Sequence, residues 1–188
     1  MDKDNYKGEH GAPDKKSGYP LHNLSGVYPE DFYESVHKAS KYYGDEGGSG
    51  KDIQSISEMH GAKNKPLKSV KMYRAVPHEK NKAEKLTEID KSVAHYLKTK
   101  KVPAGSPISG SAWYDYIGRE REKIENEKET KSINEINPGD WVTLNKQYAT
   151  EHGHGALNGK FKILSKSVPA KHLFTSGDSV HEFGYDPS

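Results

Sequence analysis

The chain reads as a mixed α and β protein, on three observations. Apolar residues recur at helical spacing along 83–99, where Leu86, Ile89, Val93 and Leu97 form one stripe among lysines and acids. They alternate with period two along 68–76, along 161–166 and in the last residues of the chain. Clusters of Gly, Pro, Asn and Asp separate these stretches and supply the turns.

Bulk composition narrows the field. Charged residues make up 30% of the chain, so the core is small for the length, and the aromatic 10%, mostly Tyr, offsets this by burying large rings. A net charge of +2 gives no overall pull toward nucleic acid. The absence of cysteine excludes disulfides, a thiol nucleophile and Cys-ligated zinc. No apolar run approaches a membrane span or a signal-peptide core, which makes a soluble cytoplasmic protein the expectation.

Residues 1–28 carry Gly11, Pro13, Gly18, Pro20 and Gly26 and read as an irregular arm, pinned by Tyr19, Leu21, Leu24, Val27 and Tyr28. A single domain is expected over 29–188. Pro29, Glu30 and Asp31 open a predicted helix, with Phe32, Val36 and Ala39 on one side and Gly44 as its end. The loop 45–51 contains Gly47, Gly48, Ser49, Gly50 and Lys51 but lacks the spacing of a phosphate-binding loop. A short helix follows over 51–59.

In the strand 68–76, Val70, Met72 and Arg74 share one face, opposite Tyr73 and Ala75, and Pro77 ends it. A charge on that otherwise apolar face needs a partner, either a carboxylate or a ligand phosphate. Arg74 is one of only three arginines, with Arg119 and Arg121, in a chain that otherwise uses lysine. Its planar fork matches phosphate or carboxylate in a way an ammonium does not. The helix 83–99 comes next, then a Pro/Gly loop over 102–109 and a second helix over 111–129 with Trp113, Ile117 and Ile124 roughly on one side.

Asn137, Pro138 and Gly139 turn into a strand over 139–144, with Trp141 and Thr143 on one face and Val142 and Leu144 on the other. Asn145 caps a short helix holding Tyr148 and Ala149, closed by Gly153. His152 and His154 lack metal-site spacing, so 152–155 reads as a glycine-rich loop and no metal is expected. After the strand 161–166 comes a helical turn over 170–174. The final strand places Val180, Glu182 and Gly184 opposite His181, Phe183 and Tyr185.

A strand arginine, a strand hydroxyl after an aromatic and a late glutamate, in that order, resemble the Arg–Ser/Thr–Glu signature of ADP-ribosyltransferases. The runs 72–77, 139–144 with Tyr148-Ala149 and His152-Gly153, and 182–187, together with 17–29, resemble phage-encoded ADP-ribosyltransferase-like domains found in large structural or injected phage proteins. The resemblance spans most of the chain. It implies an α+β fold of two small packed β-sheets with flanking helices and an NAD cleft between the sheets. It further implies an NAD-dependent mono-ADP-ribosyltransferase of phage or prophage origin that modifies a host macromolecule, protein or nucleic acid, as a monomer in the host cytoplasm.

By that resemblance Arg74 anchors the NAD phosphate, Thr143 holds the Ser/Thr position and Glu182 is the catalytic glutamate. Tyr73, Ala75, Trp141 and Tyr148 join the NAD-binding set, with Trp141 or Tyr148 stacking on nicotinamide and Gly139 and Gly184 admitting the ligand close to the backbone. The chemistry asks for such a set. Breaking the bond between ribose C1′ and nicotinamide develops positive charge, which an adjacent carboxylate stabilises. Two features depart from the family pattern. Only one hydroxyl stands in Val142-Thr143-Leu144, and Val180 occupies the place where arginine-modifying members carry Glu or Gln. These departures point to the alternative, a non-catalytic nucleotide-binding or host-defence-blocking protein on the same fold.

Overall fold

The structure is a computed structural model and describes residues 11–78, 82–108, 110, 112–126 and 133–188. It is an α+β protein with five α-helices and two small antiparallel sheets among those residues. The chain divides into two compact units. One comprises Met1–His78 with Ile133–Ser188, the other Glu79–Ser132.

In the first unit, residues 19–28 contribute to the core. Leu21 and Leu24 are fully buried, and β1 (Tyr19–Pro20) pairs with β5 (Leu173–Thr175). The predicted helix after Pro29 breaks in two. A 3₁₀ turn (Glu30–Tyr33) buries Phe32, and Ser35 then caps α1 (Val36–Tyr43), its hydroxyl accepting from the Lys38 N–H. Ser35 competes for the backbone and so restarts the helix instead of continuing it. α2 (Gly50–Ala62) starts at Ser49 with a capping box closed by Asp52. Ile56, Met59 and Ala62 of α2 pack into the core with Leu21, Leu24 and Phe32.

β2 (Ser69–Pro77) and β4 (Phe161–Pro169) form the two-stranded sheet over nine register pairs, Arg74 opposite Leu164. The other sheet runs β1–β5–β6–β3, with β3 (Trp141–Val142) and β6 (Phe183–Tyr185) paired as Trp141 to Gly184 and Val142 to Phe183. One bridge joins the sheets: Tyr73 and Thr143 exchange backbone hydrogen bonds of 2.8 and 2.9 Å. β3 and β6 are shorter than their alternation predicts. β6 begins only at Phe183, and both Val180 and His181 are fully buried, so the alternation expected across 180–185 fails before Phe183. The Ser179 hydroxyl accepts from the His181 N–H, bending the backbone there.

α5 (Lys146–Ala156) extends past Gly153, which the sequence suggests as its end. A Cβ on Gly153 would meet the Phe161 ring at 2.4 Å, so this glycine serves close packing inside a helix and 152–155 is not a loop. The segment 170–174 splits into a 3₁₀ turn (Ala170–His172) and β5, whose three residues are all buried.

The second unit contains α3 (Lys82–Thr99) and α4 (Ala112–Asn126). Ile89 and Trp113 are buried there, and the Tyr96 ring lies 4.9 Å from that of Trp113. Leu97, expected on the apolar stripe, is exposed. The end of the predicted second helix at 127–129, with Ser109 and Ser111, lies outside the described residues. No helix among the described residues is long and apolar enough to cross a membrane.

Candidate functional site

Arg74 lies in β2, Thr143 directly follows β3 and Glu182 directly precedes β6. Tyr73 bridges Thr143, and β3 pairs with β6 as Trp141 to Gly184 and Val142 to Phe183, so Thr143 and Glu182 each stand one residue outside that pairing. The topology therefore brings Arg74, Thr143 and Glu182 onto adjacent strands or strand ends. Their side chains have different surroundings.

Arg74 keeps to the face of Val70, Met72 and Val76, as the alternation predicts, and all four residues are buried. Its guanidinium forms an ion pair through Nη1 with Oδ2 of Asp140, with the two side chains 9% and 7% exposed. The same Oδ2 accepts the Asn137 N–H at 2.8 Å. The partner that an arginine on this face requires is thus a carboxylate, held in place by the turn that leads into β3.

Thr143 is buried, and its Oγ1 accepts the Asn145 N–H at 3.1 Å. Asn145 is fully buried. Its Oδ1 accepts the Tyr148 N–H at 3.1 Å, and its side-chain amide donates to Gln54 Oε1 at 2.9 Å and to the Lys51 carbonyl at 3.3 Å. One residue therefore caps α5 and ties it to α2.

Glu182 is exposed, and its Oε1 accepts the Tyr148 hydroxyl at 2.8 Å. Its Oε2 has no hydrogen-bond partner among the described residues. The Tyr148 ring lies flat on the His181 imidazole, with centroids 4.5 Å apart and planes 23° apart. Burial first, and then the Glu182 carboxylate, hold the Tyr148 phenol above its ordinary 10.0.

Beneath Tyr148 lies a network that sequence reasoning missed. His181 Nε2 is 3.0 Å from Asp52 Oδ1, and its Nδ1 is 2.8 Å from Ser55 Oγ. All three residues are fully buried. Asp52 Oδ2 also accepts three backbone N–H bonds, from Glu46, Gly48 and Ser49, at 3.0–3.1 Å. Burial acts to raise the Asp52 carboxyl, but those three donors and His181 outweigh it and hold the group below its ordinary 3.8. An ionised carboxylate can only accept, so Nε2 carries the proton. In the neutral ring Nδ1 then accepts from the Ser55 hydroxyl.

A serine, histidine and aspartate in one hydrogen-bonded row suggest nucleophilic catalysis. Full burial decides against it, because no substrate reaches Ser55. The Ser49-x-x-Asp52 spacing is a legible capping signal. Nothing in the sequence links Asp52 to a histidine 129 residues away.

The loop 44–49 is organised around Asp52, so its N–H groups serve that carboxylate instead of a phosphate. Asp45 of the same loop accepts the Ser179 hydroxyl at 2.5 Å and the Val180 N–H at 3.4 Å. Lys51 pairs with Glu46 and with Glu151 of α5.

Of the remaining candidates, Tyr73 and Trp141 are half-buried and Ala75 is buried. Gly139 takes a φ of +84°, which the turn into β3 requires, and its N–H bonds the Tyr185 carbonyl at 2.8 Å. The space beside Gly184 belongs to the N-terminal segment: a Cβ there would lie 1.8 Å from the Pro13 carbonyl oxygen. Close approach at Gly184 thus admits the chain itself, where a ligand was expected. No group of three or more His, Cys, Asp or Glu side chains able to hold a metal ion occurs among the described residues. Comparison with protein-family models, curated proteins and solved structures finds no match.

Proposed function

We propose that this chain is an NAD-dependent mono-ADP-ribosyltransferase with an ADP-ribosyltransferase-like fold. It acts as a monomer of phage or prophage origin in the host cytoplasm, on a host protein or nucleic acid. The observation that carries the reading is the state of Glu182. It is an exposed carboxylate directly before β6, the strand that pairs with β3, with one oxygen oriented by Tyr148 and the other free to accept. In the reaction, the bond between ribose C1′ and the nicotinamide nitrogen breaks and nicotinamide leaves with the electron pair. The acceptor nucleophile then forms the new bond at C1′. Glu182 supplies the anion that stabilises the positive charge on the ribose and accepts from a ribose hydroxyl. Trp141 stands in β3 with Thr143 directly after it, and Tyr73 and Ala75 flank Arg74 on β2.

One observation favours the non-catalytic alternative in its host-defence-blocking form over its nucleotide-binding form. The Arg74 guanidinium is buried against Asp140, whereas a phosphate anchor faces its ligand. The deciding experiment incubates host lysate and labelled NAD with the wild-type protein or with Glu182→Gln. Transfer predicts a labelled band with the wild type and a loss of about 10²–10³-fold in the variant, the scale for removing one electrostatic stabiliser of a transition state. No band and no released nicotinamide from the wild type overturns the enzymatic reading.

A further inference from the structure

The Asp52–Ser55–His181 network has no solvent access, yet it lies one residue and one ring away from Glu182. We propose that Tyr148, seated on this buried network, is the positioning residue that holds the Glu182 carboxylate, and that it does not clamp nicotinamide. The inference rests on the proposed transferase reading for its kinetic part and on geometry alone for its structural part.

Three features assign Tyr148 this role. Its hydroxyl already donates to Glu182 Oε1 at 2.8 Å. One ring face is taken, stacked on His181 at 4.5 Å. The imidazole beneath cannot turn, because both its nitrogens are engaged, Nε2 by Asp52 and Nδ1 by Ser55. Asp52 is in turn fixed by three backbone donors of the loop before α2. The row from loop to imidazole to phenol to carboxylate has a defined contact at every step. A carboxylate on an exposed side chain otherwise samples several rotamers, and fixing it before reaction places its charge where the ribose cation forms. The phenol donates at one oxygen only, so the other stays available to a ribose hydroxyl.

Two measurements test this, and they fail independently. The first follows Tyr148 ionisation by NMR with ¹³Cζ-labelled tyrosine in the wild type and in Glu182→Gln. Loss of the carboxylate moves the phenol's titration downward, while burial keeps it above the ordinary value. An unchanged titration overturns the Tyr148–Glu182 bond, whether or not the protein turns over NAD.

The second compares wild type with Tyr148→Phe, which keeps the ring on His181 and removes only the donor. Removing a hydrogen bond to a charged group predicts a kcat for nicotinamide release about 10- to 100-fold lower. KM for NAD stays unchanged. A raised KM with unchanged kcat assigns Tyr148 to substrate binding and overturns positioning, and so does wild-type behaviour in both constants. Absence of nicotinamide release from the wild type counts against the transferase reading, and the NMR titration then decides the structural claim.

Discussion

Arg74 and Glu182 are the two ends of one sequence signature, and the molecule treats them oppositely. Arg74 is buried and ion-paired to Asp140, whose carboxylate is also held by the Asn137 N–H. Glu182 is exposed, with a single oxygen engaged by Tyr148. The difference shows what a charge does under each condition. A buried ion pair specifies how β2 meets the turn before β3, because neither partner tolerates being left alone. An exposed carboxylate on an ordered support is free to act on something else.

The largest expected effect breaks the comparison at its buried end. Arg74→Ala leaves Asp140 uncompensated and is expected to cost about 3–5 kcal/mol, the scale for removing one partner of a buried pair. Urea denaturation of the variant measures it. The double variant Arg74→Met with Asp140→Asn is expected to recover part of the loss, because the orphaned charge is gone. A stable Arg74→Ala protein that has instead lost NAD binding would show that the guanidinium serves a ligand, and the contrast with Glu182 would collapse.

How much of this was legible in the sequence follows from which contacts are local. The stripe of 83–99 and the alternation of 68–76 gave α3 and β2 to within a residue or two, since periodicity is a local property. The face shared by Val70, Met72 and Arg74, and the Asn145 cap, were readable for the same reason. Identifying Asp140 as the Arg74 partner needed the β2–β3 bridge. The Asp52–His181 contact needed the whole first unit, because only tertiary packing brings α2 to the C-terminal segment. β5 was missed because a three-residue buried strand carries no period. The glycines misled in a consistent way. Gly153 and Gly184 suggested a loop and a ligand, but each accommodates another part of the chain, the Phe161 ring and the Pro13 backbone.

An intermediate effect tests the support of Glu182. Asp52→Asn weakens the acceptor of three backbone donors and of His181, and a stability loss of about 1–3 kcal/mol is expected for such a buried site. The pH dependence gives the sharper readout. The folded-state carboxyl ionises below its ordinary 3.8, so its ionised form favours the fold. That contribution is complete above 3.8 and is lost as pH falls through the folded value. Urea midpoints between neutral and acidic pH should therefore fall below about pH 3.8, more steeply for the wild type than for Asp52→Asn. Parallel curves would mean that the carboxylate's charge is not what holds the loop.

The smallest effect concerns Lys51, which draws Glu46 of the loop and Glu151 of α5 together. The Lys51 side chain is 12% exposed but its acids are 42% and 48% exposed, so this link is open to solvent on the carboxylate side, unlike the Arg74–Asp140 pair at 9% and 7%. Salt separates them. At about 1 M the screening length shrinks to roughly 3 Å, which suppresses pairing between exposed charges but leaves a buried pair almost untouched. Lys51→Met is expected to lower the melting temperature slightly in dilute buffer and to match the wild type in concentrated salt. The Arg74→Ala deficit should persist in both. Methionine keeps the aliphatic stem, so a Lys51→Met deficit that survives high salt would mean that the Lys51 ammonium holds Glu46 and Glu151 out of reach of screening. The support of Glu182 would then be as rigid as the Arg74 end, instead of resting on a buried network beneath a salt-sensitive surface.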